Sequence, residues 1–453
     1  IGPAGENCVK FASIISEWRA AGRGGAGAVM GSKKLKAIAV SSEEREIKIA
    51  DPQSFKEMIG EIYKKIRKTP LTSETYPKYG TPYLVEMINH LGIYPTMNFQ
   101  NAVFKGAEKT SADILREHMF VRSKPCFRCP IACTKISSVK TGPYAGTVTR
   151  GPEYETIWAF SAQCGNECLD AVVAASKLCD EMGLDTISTG NVIGFVMECF
   201  ERNLITKDDT ESLDLKFGNY RAMIKVIRKI AYKKGFGNTL ADGVKHTSEK
   251  IGKGSEEFAM HVKGMELPAY DPRGAWGMGL AYATANRGGC HLNSWTIAAE
   301  CGGRLKRFST EGKAKFVKKD QDIRTLYACA GVCLFAAKAL PPDLPMKLIR
   351  AVTGIKLTSE QLLKIGERVY NIERAYNVYA GVSRKYDTLP ERIFTEPIPE
   401  GPAKGKLIKL NGFEKMLGEY YEFRGWDKNG IPTKEKLVEL NLEDVAGKLW
   451  QNL

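Results

Sequence analysis

The chain has 453 residues, 43% hydrophobic and 26% charged, with a net charge of +14. That is the balance of an ordinary globular protein of roughly two or three domains. No run approaches the roughly 18 uninterrupted apolar residues that cross a bilayer, and no basic segment interleaves with aromatics as a nucleic-acid groove would. The positive charge is spread along the chain. It suits a solvated basic surface, or an acidic partner such as a small electron carrier or companion subunit.

In chain order, residues 1–50 are rich in Gly and Ala and close with a strand candidate, Leu35-Lys36-Ala37-Ile38-Ala39-Val40. The first residues carry neither an initiator Met nor a signal-peptide pattern and read as mid-domain, so upstream sequence is expected. Asp51-Pro52 opens a helix whose Phe55, Met58, Ile59, Ile62 and Ile66 share one face. Helical spacing then dominates to about residue 260, as at 169–182 and 191–200, broken by Gly/Pro loops near 91–105 and 142–153. A second boundary falls near 264–272, and helices follow at 274–286, 320–339, 358–378 and 433–450, with a loop at 390–406. The expected architecture is mostly α: two helical domains, 51–264 and 265–453, after the end of a β-rich domain at 1–50.

The chain has 12 cysteines and no secretory features, which argues against a disulfide scaffold and for a reducing cytoplasm. Cys126, Cys129 and Cys133 stand at CxxCxxxC spacing. Turns after each bring such thiolates together on one metal centre, and a cubane takes a fourth ligand from elsewhere. Cys333 is the first choice for it and Cys329 the second. Zinc more usually draws its ligands from two CxxC-like pairs.

Asp180-Glu181-Met182-Gly183-Leu184-Asp185 ends a helical run. Glycine there frees the backbone for a turn, and the carboxylates either accept hydrogen bonds from a polar heterocycle or are simply solvated. Asp271-Pro272-Arg273-Gly274 leads into a glycine-dense stretch ending at Arg287-Gly288-Gly289-Cys290-His291. Arg273 and Arg287 have the geometry to bind phosphate bidentately. His291 is one of five histidines; a lone histidine is as readily a satisfied polar residue as a catalyst. Glu153 and Glu155 lie two apart beside a turn, so an extended backbone would send only one into a pocket. Gly22-Arg23-Gly24-Gly25-Ala26-Gly27 matches GxGxxG, but a helix-like stretch precedes it and a strand follows, the reverse of a dinucleotide fold. It is retained as a Gly-rich loop near a phosphate or cofactor.

Taken together and in order, these motifs resemble the tungsten-containing aldehyde ferredoxin oxidoreductase family. The likeness runs from Gly2-Pro3-Ala4-Gly5-Glu6-Asn7 and Arg19-Ala20-Ala21-Gly22-Arg23-Gly24-Gly25 to Arg424-Gly425-Trp426, through Gly31-Ser32-Lys33-Lys34-Leu35-Lys36-Ala37, the cysteine triplet, Gly151-Pro152-Glu153-Tyr154-Glu155 and Gly183-Leu184-Asp185-Thr186. The resemblance implies tungsten or molybdenum held by the dithiolenes of two pterins, magnesium bridging the pterin phosphates, and a 4Fe–4S cluster on Cys126, Cys129, Cys133 and Cys333. It implies one pterin motif at Asp180, Gly183, Leu184 and Asp185. Further cofactor contacts would come from Arg23, Gly24, Gly25, Ala26, Asp271, Arg273, Gly274 and Arg287. The family's second motif, DxxGLC, falls on Ala328-Cys329-Ala330-Gly331-Val332-Cys333; Ala328 replaces its acid and Val332 its leucine, leaving Gly331 and Val332 as candidates.

By the same resemblance His291 binds the substrate oxygen and Glu155 or Glu153 moves the proton, as aldehydes are oxidised to carboxylic acids. Electrons leave for ferredoxin or an iron–sulfur subunit, in a homodimer or heteromeric complex. The alternatives are the tungsten subunit of a benzoyl-CoA reductase and a pterin-free electron-transfer subunit. Trp276 and Trp295 hint at an aromatic-walled pocket.

Overall fold

A computed structural model of the chain describes residues 1–17, 19–43, 46–341 and 343–451. The architecture is mostly helical, as expected. The first long helix, α1 (Pro52–Lys68), starts where proline's fixed φ is harmless and Asp51 accepts the Ser54 N–H. A three-stranded antiparallel sheet follows, β1 (Phe120–Ser123), β2 (Lys135–Ser138) and β3 (Val148–Arg150), with β2 in the middle. The cysteine loop spans the β1–β2 connection, and β3 delivers the chain to α2 (Tyr154–Phe160).

Beneath these lie α3 (Leu169–Met182) and α4 (Thr186–Glu201). Only one turn of chain separates them, because Gly183 takes the left-handed conformation (φ +75°) that closes α3 and Asp185 then caps α4. α4 is buried along almost its whole length, which explains why its sequence reads apolar all round rather than amphipathic. Helices α5 (Trp276–Thr284), α6 (Lys313–Cys329), α7 (Leu334–Ala337), α8 (Ser359–Tyr379) and α9 (Leu410–Arg424) complete the site's surroundings. One core runs from Ala4 through Trp158, Phe195 and Leu280 to Trp426, so packing continues across 264–272. Among the described residues no helix is long and apolar enough to cross a membrane.

Several local expectations change. Residues 35–40 form no strand: Ile38 and Val40 are 73% and 88% exposed, and apolar strand residues need a neighbouring strand to pair with and a face to bury. The helix expected over 320–339 stops at Cys329, since Gly331 (φ +66°) turns the chain and places Cys333 at the N-cap of α7. The helix expected over 433–450 is two, Lys434–Glu439 and Glu443–Gln451. The loop at 390–406 begins with a short helix, Glu391–Thr395. The Gly-rich segment follows an antiparallel ribbon (Ile14–Ser16 with Arg19–Ala21) and opens a helix (Ala26–Ser32), the reverse of the expected context. A dinucleotide fold is still not formed, because every strand pair among the described residues is antiparallel.

Candidate active site

A cavity of about 720 Å³ opens between the start of α2, the segment after Arg287 and the turn around α7. Glu153, Glu155 and His291 all line it, together with Cys133. That corrects the expectation for the two carboxylates. The backbone at 154 is already helical, so Glu153 sits at the N-cap and Glu155 in the first turn, both on the cavity wall. Glu153 is fixed by the Thr81 hydroxyl, which donates to its Oε2 (2.6 Å), and by Arg150 at 3.3 Å.

Glu155 Oε2 accepts the Ala269 N–H at 3.0 Å, while Oε1 is buried without a partner and lies 3.7 Å from His291 Nε2. That separation is too long for a hydrogen bond. Burial pushes the Glu155 carboxyl up to about 8, against the lowering influence of the Ala269 N–H and Arg23. Burial, reinforced by Arg23, Arg287 and Arg324, pushes His291 down to about 3. At neutral pH the site therefore holds a mostly protonated carboxyl beside a neutral imidazole. Arg150 Nε, His291 Nδ1 and Trp295 Nε1 are likewise buried without partners on residues of this wall. Native interiors rarely strand so many polar atoms together, and a ligand bearing donors and acceptors would complete them.

The rest of the wall is aromatic and aliphatic. Tyr270 lies 6.2 Å from the His291 ring and 6.0 Å from Trp295. Tyr76 stands 5.8 Å from Tyr83 and 5.1 Å from Phe335. Trp276 is elsewhere, packed edge-on against Phe308.

The cysteine loop borders the cavity. Left-handed residues Arg128 and Ala132 (φ +51° each) reverse it after Cys126 and again before Cys133. Tyr63 of α1 donates to the Arg128 carbonyl, and Arg19 donates to Cys126 Sγ (2.7 Å) and Thr134 (3.0 Å). Cys129 and Cys133 pack with Phe335 and Ala336, just beyond Cys333. Burial, then Glu153 and Cys333, pushes the Cys133 thiol up to about 11. Among the described residues no three His, Cys, Asp or Glu side chains converge on a single-ion position. A cubane asks for less convergence, since each thiolate binds its own iron.

The pterin candidates divide. Asp180 is largely buried, its pKa raised to about 6 by burial against the opposing pull of Arg150 and Lys177. Asp185, however, is committed to the protein: it accepts the Ile187 and Ser188 N–H groups and pairs with Arg23 at 3.2 Å. Arg23 also donates to the carbonyls of Gly289 (2.6 Å) and Glu266 (2.7 Å). Leu184 bridges to Ala12 in the core. Gly25 heads the next helix beside the Lys10 carbonyl with Ala26 in its first turn, and Gly24 (φ +95°) leaves open space above its backbone.

Asp271 and Arg273 form a fully buried pair (2.6 Å), and the guanidinium also donates to the carbonyls of Phe99 and Glu396. Gly274 is closed off by Ile93. These three residues do not reach the cavity, and Arg273 has no fork left for a phosphate. Arg287 is exposed but aims Nε at Cys290 Sγ (3.0 Å), the residue before His291. Gly331 and Val332 lie in the turn after α6, off the cavity wall.

Residues 57–442 match the pattern described as aldehyde ferredoxin oxidoreductase, domains 2 and 3, and residues 1–42 match its N-terminal domain. Over 98% of its length the chain is 44% identical to the tungsten-containing aldehyde ferredoxin oxidoreductases of Thermococcus kodakarensis and Pyrococcus furiosus, covering 73% of each. The chain belongs to the aldehyde ferredoxin oxidoreductase family. It is thus an oxidoreductase. At 31% identity it also resembles an aliphatic sulfonate oxidoreductase, WOR-like subunit, of Pyrococcus furiosus, covering 98% of this chain and 70% of that one. A solved active-site complex of benzoyl-coenzyme A reductase with 1,5-dienoyl-CoA superposes with a TM-score of 0.79, covering 100% of this chain and 74% of that one at 22% identity. That likeness shows the shared fold.

Sequence reading assigned no role to several polar residues of the wall, among them Arg19, Thr81, Arg150, Tyr270, Arg324 and Lys338. Arg150 and Tyr270 adjoin a motif already singled out and Arg19 opens one, and that was the available signal. Thr81, which holds Glu153 from a distant loop, carries none.

Proposed function

We propose that the chain oxidises aldehydes to carboxylic acids at a tungsten- or molybdenum-pterin group, with electrons leaving through a 4Fe–4S cluster to a ferredoxin or an iron–sulfur partner subunit. The observation that carries this reading is the set of partnerless buried atoms on Arg150, Glu155, His291 and Trp295 around one cavity, with Cys133 in its wall. The residues fit the two groups. Cys126, Cys129, Cys133 and Cys333 offer thiolates from two loops packed on a shared apolar patch, and Asp180 offers a carboxylate that burial keeps ready to accept or donate a proton.

The reaction balances as RCHO + H₂O → RCOO⁻ + 3 H⁺ + 2 e⁻. When bound, the metal-pterin supplies Lewis acidity and a two-electron sink, and the cluster a one-electron path. The protein's own residues do the rest. His291, kept neutral, donates an N–H to the substrate oxygen. Glu155 Oε1 accepts the proton released as water adds, which requires its ionised form. Arg150 and Thr81 hold Glu153 at the end of this path. The aromatic wall keeps the reacting carbon away from bulk water.

Metal and sulfide analysis of anaerobically purified protein, followed by aldehyde-dependent viologen reduction, tests the proposal. About one tungsten or molybdenum and about four irons per chain, with turnover, support it. Iron without the heavy metal and no turnover would sink it in favour of an electron-transfer subunit.

A further inference from the structure

The cavity wall carries more positive charge than the protein balances. Of its cations, Arg150 is paired with Glu153, Arg324 with Asp320 at 2.9 Å, and Arg19 is engaged by Cys126 Sγ and Thr134 of the cysteine loop. Among the described residues, Lys338 of the turn after α7 forms no ion pair. Its ammonium lies 4.5 Å above the Trp295 ring, and the nearby acid is the same Asp320. That carboxylate already accepts Ser294 Oγ, the Trp295 N–H and Arg324 Nε. One negative charge thus faces two positive ones. Burial, and then Arg324, lowers the Lys338 pKa to about 8, as expected for an ammonium short of anionic company.

This charge is displaced from the reacting end. From His291 the wall runs across Tyr270 (6.2 Å) to Trp295 (a further 6.0 Å), on which Lys338 sits. Much of the remaining lining is apolar, with Leu84, Phe335 and Ile297 among it. An apolar slot with acid–base groups at one end and an unbalanced cation at the other selects a molecule of matching pattern.

We infer that the preferred aldehydes have an aromatic or bulky apolar body and carry an anionic oxyacid group, carboxylate or sulfonate, remote from the reacting carbon, where Lys338 holds it. The inference rests on the aldehyde-oxidation reading for its substrate class, and on the cavity for its anion. The ammonium meets an oxyacid oxygen as a point charge with donors to spare, while Arg324 stays committed to Asp320 and the Leu292 carbonyl.

The test compares kcat/KM of the anaerobic holoenzyme for para-carboxybenzaldehyde, para-formylbenzenesulfonate and para-methylbenzaldehyde, and for the biphenyl homologues of each. The expected result is an anionic-to-methyl ratio of about tenfold or more, the worth of one hydrogen bond to a charged group. That ratio should fall about tenfold in Lys338→Met and recover in Lys338→Arg. It is internal to each preparation, so differences in cofactor loading cancel. The sulfonate arm tells which oxyacid is held. Calorimetric binding of the non-aldehyde analogues para-carboxybenzyl alcohol and para-methylbenzyl alcohol reads the subsite without turnover. Tighter binding of the carboxylated alcohol that Lys338→Met abolishes supports the subsite even if no aldehyde is oxidised, in which case the aldehyde reading alone fails. Turnover of para-methylbenzaldehyde with no anionic preference in kcat/KM or in binding overturns the subsite and leaves that reading standing.

Discussion

Replacing Glu155 by Gln removes one of two cavity groups that titrate near 8; the other, Lys338, takes no part in turnover of a neutral aldehyde such as para-methylbenzaldehyde, which is the substrate for this comparison. The carboxyl is raised from 4.5 to about 8 by burial, and Arg23, the Ala269 N–H, Asp185 and His291 are the groups that face it. If the ionised form accepts the proton, kcat/KM of the wild type rises about tenfold per pH unit below 8 and levels off above it. Between pH 6 and pH 8 the gain is therefore up to roughly fiftyfold. His291, held near 3, stays neutral throughout and adds no second limb.

The Gln variant should lose about 10²–10⁴ in kcat/KM, the usual range for a general base, and its profile should be flat from pH 6 to pH 9. The same shift has a sign for stability. A folded pKa above the unfolded one stabilises fully below the unfolded value, and that contribution is lost as pH rises through about 8. The wild type should therefore lose more stability than the variant between pH 6 and pH 9, by several kcal/mol at most. Stopped-flow viologen reduction across that range measures the first effect and thermal unfolding the second. With the neutral aldehyde, an ionisation near 8 that persists in Glu155→Gln would refute the assignment, as would a wild-type profile flat through that region.

Other substitutions test other parts of the argument. Cys133→Ser and Cys333→Ser should each lower iron and acid-labile sulfide well below the wild-type content while far-ultraviolet circular dichroism is kept; full iron in both variants would remove these thiols from the cluster. Gly190→Ala places a Cβ 2.3 Å from the Ala159 carbonyl oxygen, forcing α4 away from α2, which carries Glu155 in its first turn. A loss of about 1–3 kcal/mol in thermal unfolding should come with a fall in kcat/KM. Asp271→Asn uncouples a fully buried ion pair and should cost about 3–5 kcal/mol. A variant with wild-type stability and weakened pterin retention would instead restore these residues to the cofactor.

The sequence made the helices legible where one face repeats, as in α1, whose Phe55, Met58, Ile59, Ile62 and Ile66 announce it and whose Asp51-Pro52 marks its start. It hid the break in the helix expected over 320–339, because apolar spacing continues through Ala330 and Val332 while Gly331 quietly turns the chain. The apolar run at 35–40 satisfied every local rule for a strand, but a strand exists only when a second one pairs with it, and the 35–40 window cannot show that. Glu153 and Glu155 were legible as a pair. Their shared wall was not, since it depends on whether helical backbone begins at 154 rather than several residues later.

The four arginines separate recognition of a family from assignment of a role. Arg23, Arg273, Arg287 and Arg324 are one chemical type, three of them inside motifs. From sequence, Arg273 and Arg287 are expected to aim a fork at phosphate, Arg23 to stand in a loop near a phosphate or cofactor, and Arg324 to have no role. Folding decides otherwise by what lies within reach. Arg273 is fully buried with Asp271 and two carbonyls, so its donors were needed to bury it at all. Arg23 ties the Gly-rich loop to the turn between α3 and α4 and to the segment before His291. Its effect on chemistry is electrostatic, through the shifts at Glu155 and His291. Arg287 braces Cys290, and only Arg324, outside every motif, lines the cavity. A buried arginine whose hydrogen bonds are filled by the protein holds the site together, and the capacity to bind a ligand stays with the groups left unfilled: Glu155, His291, Arg150, Trp295 and Lys338.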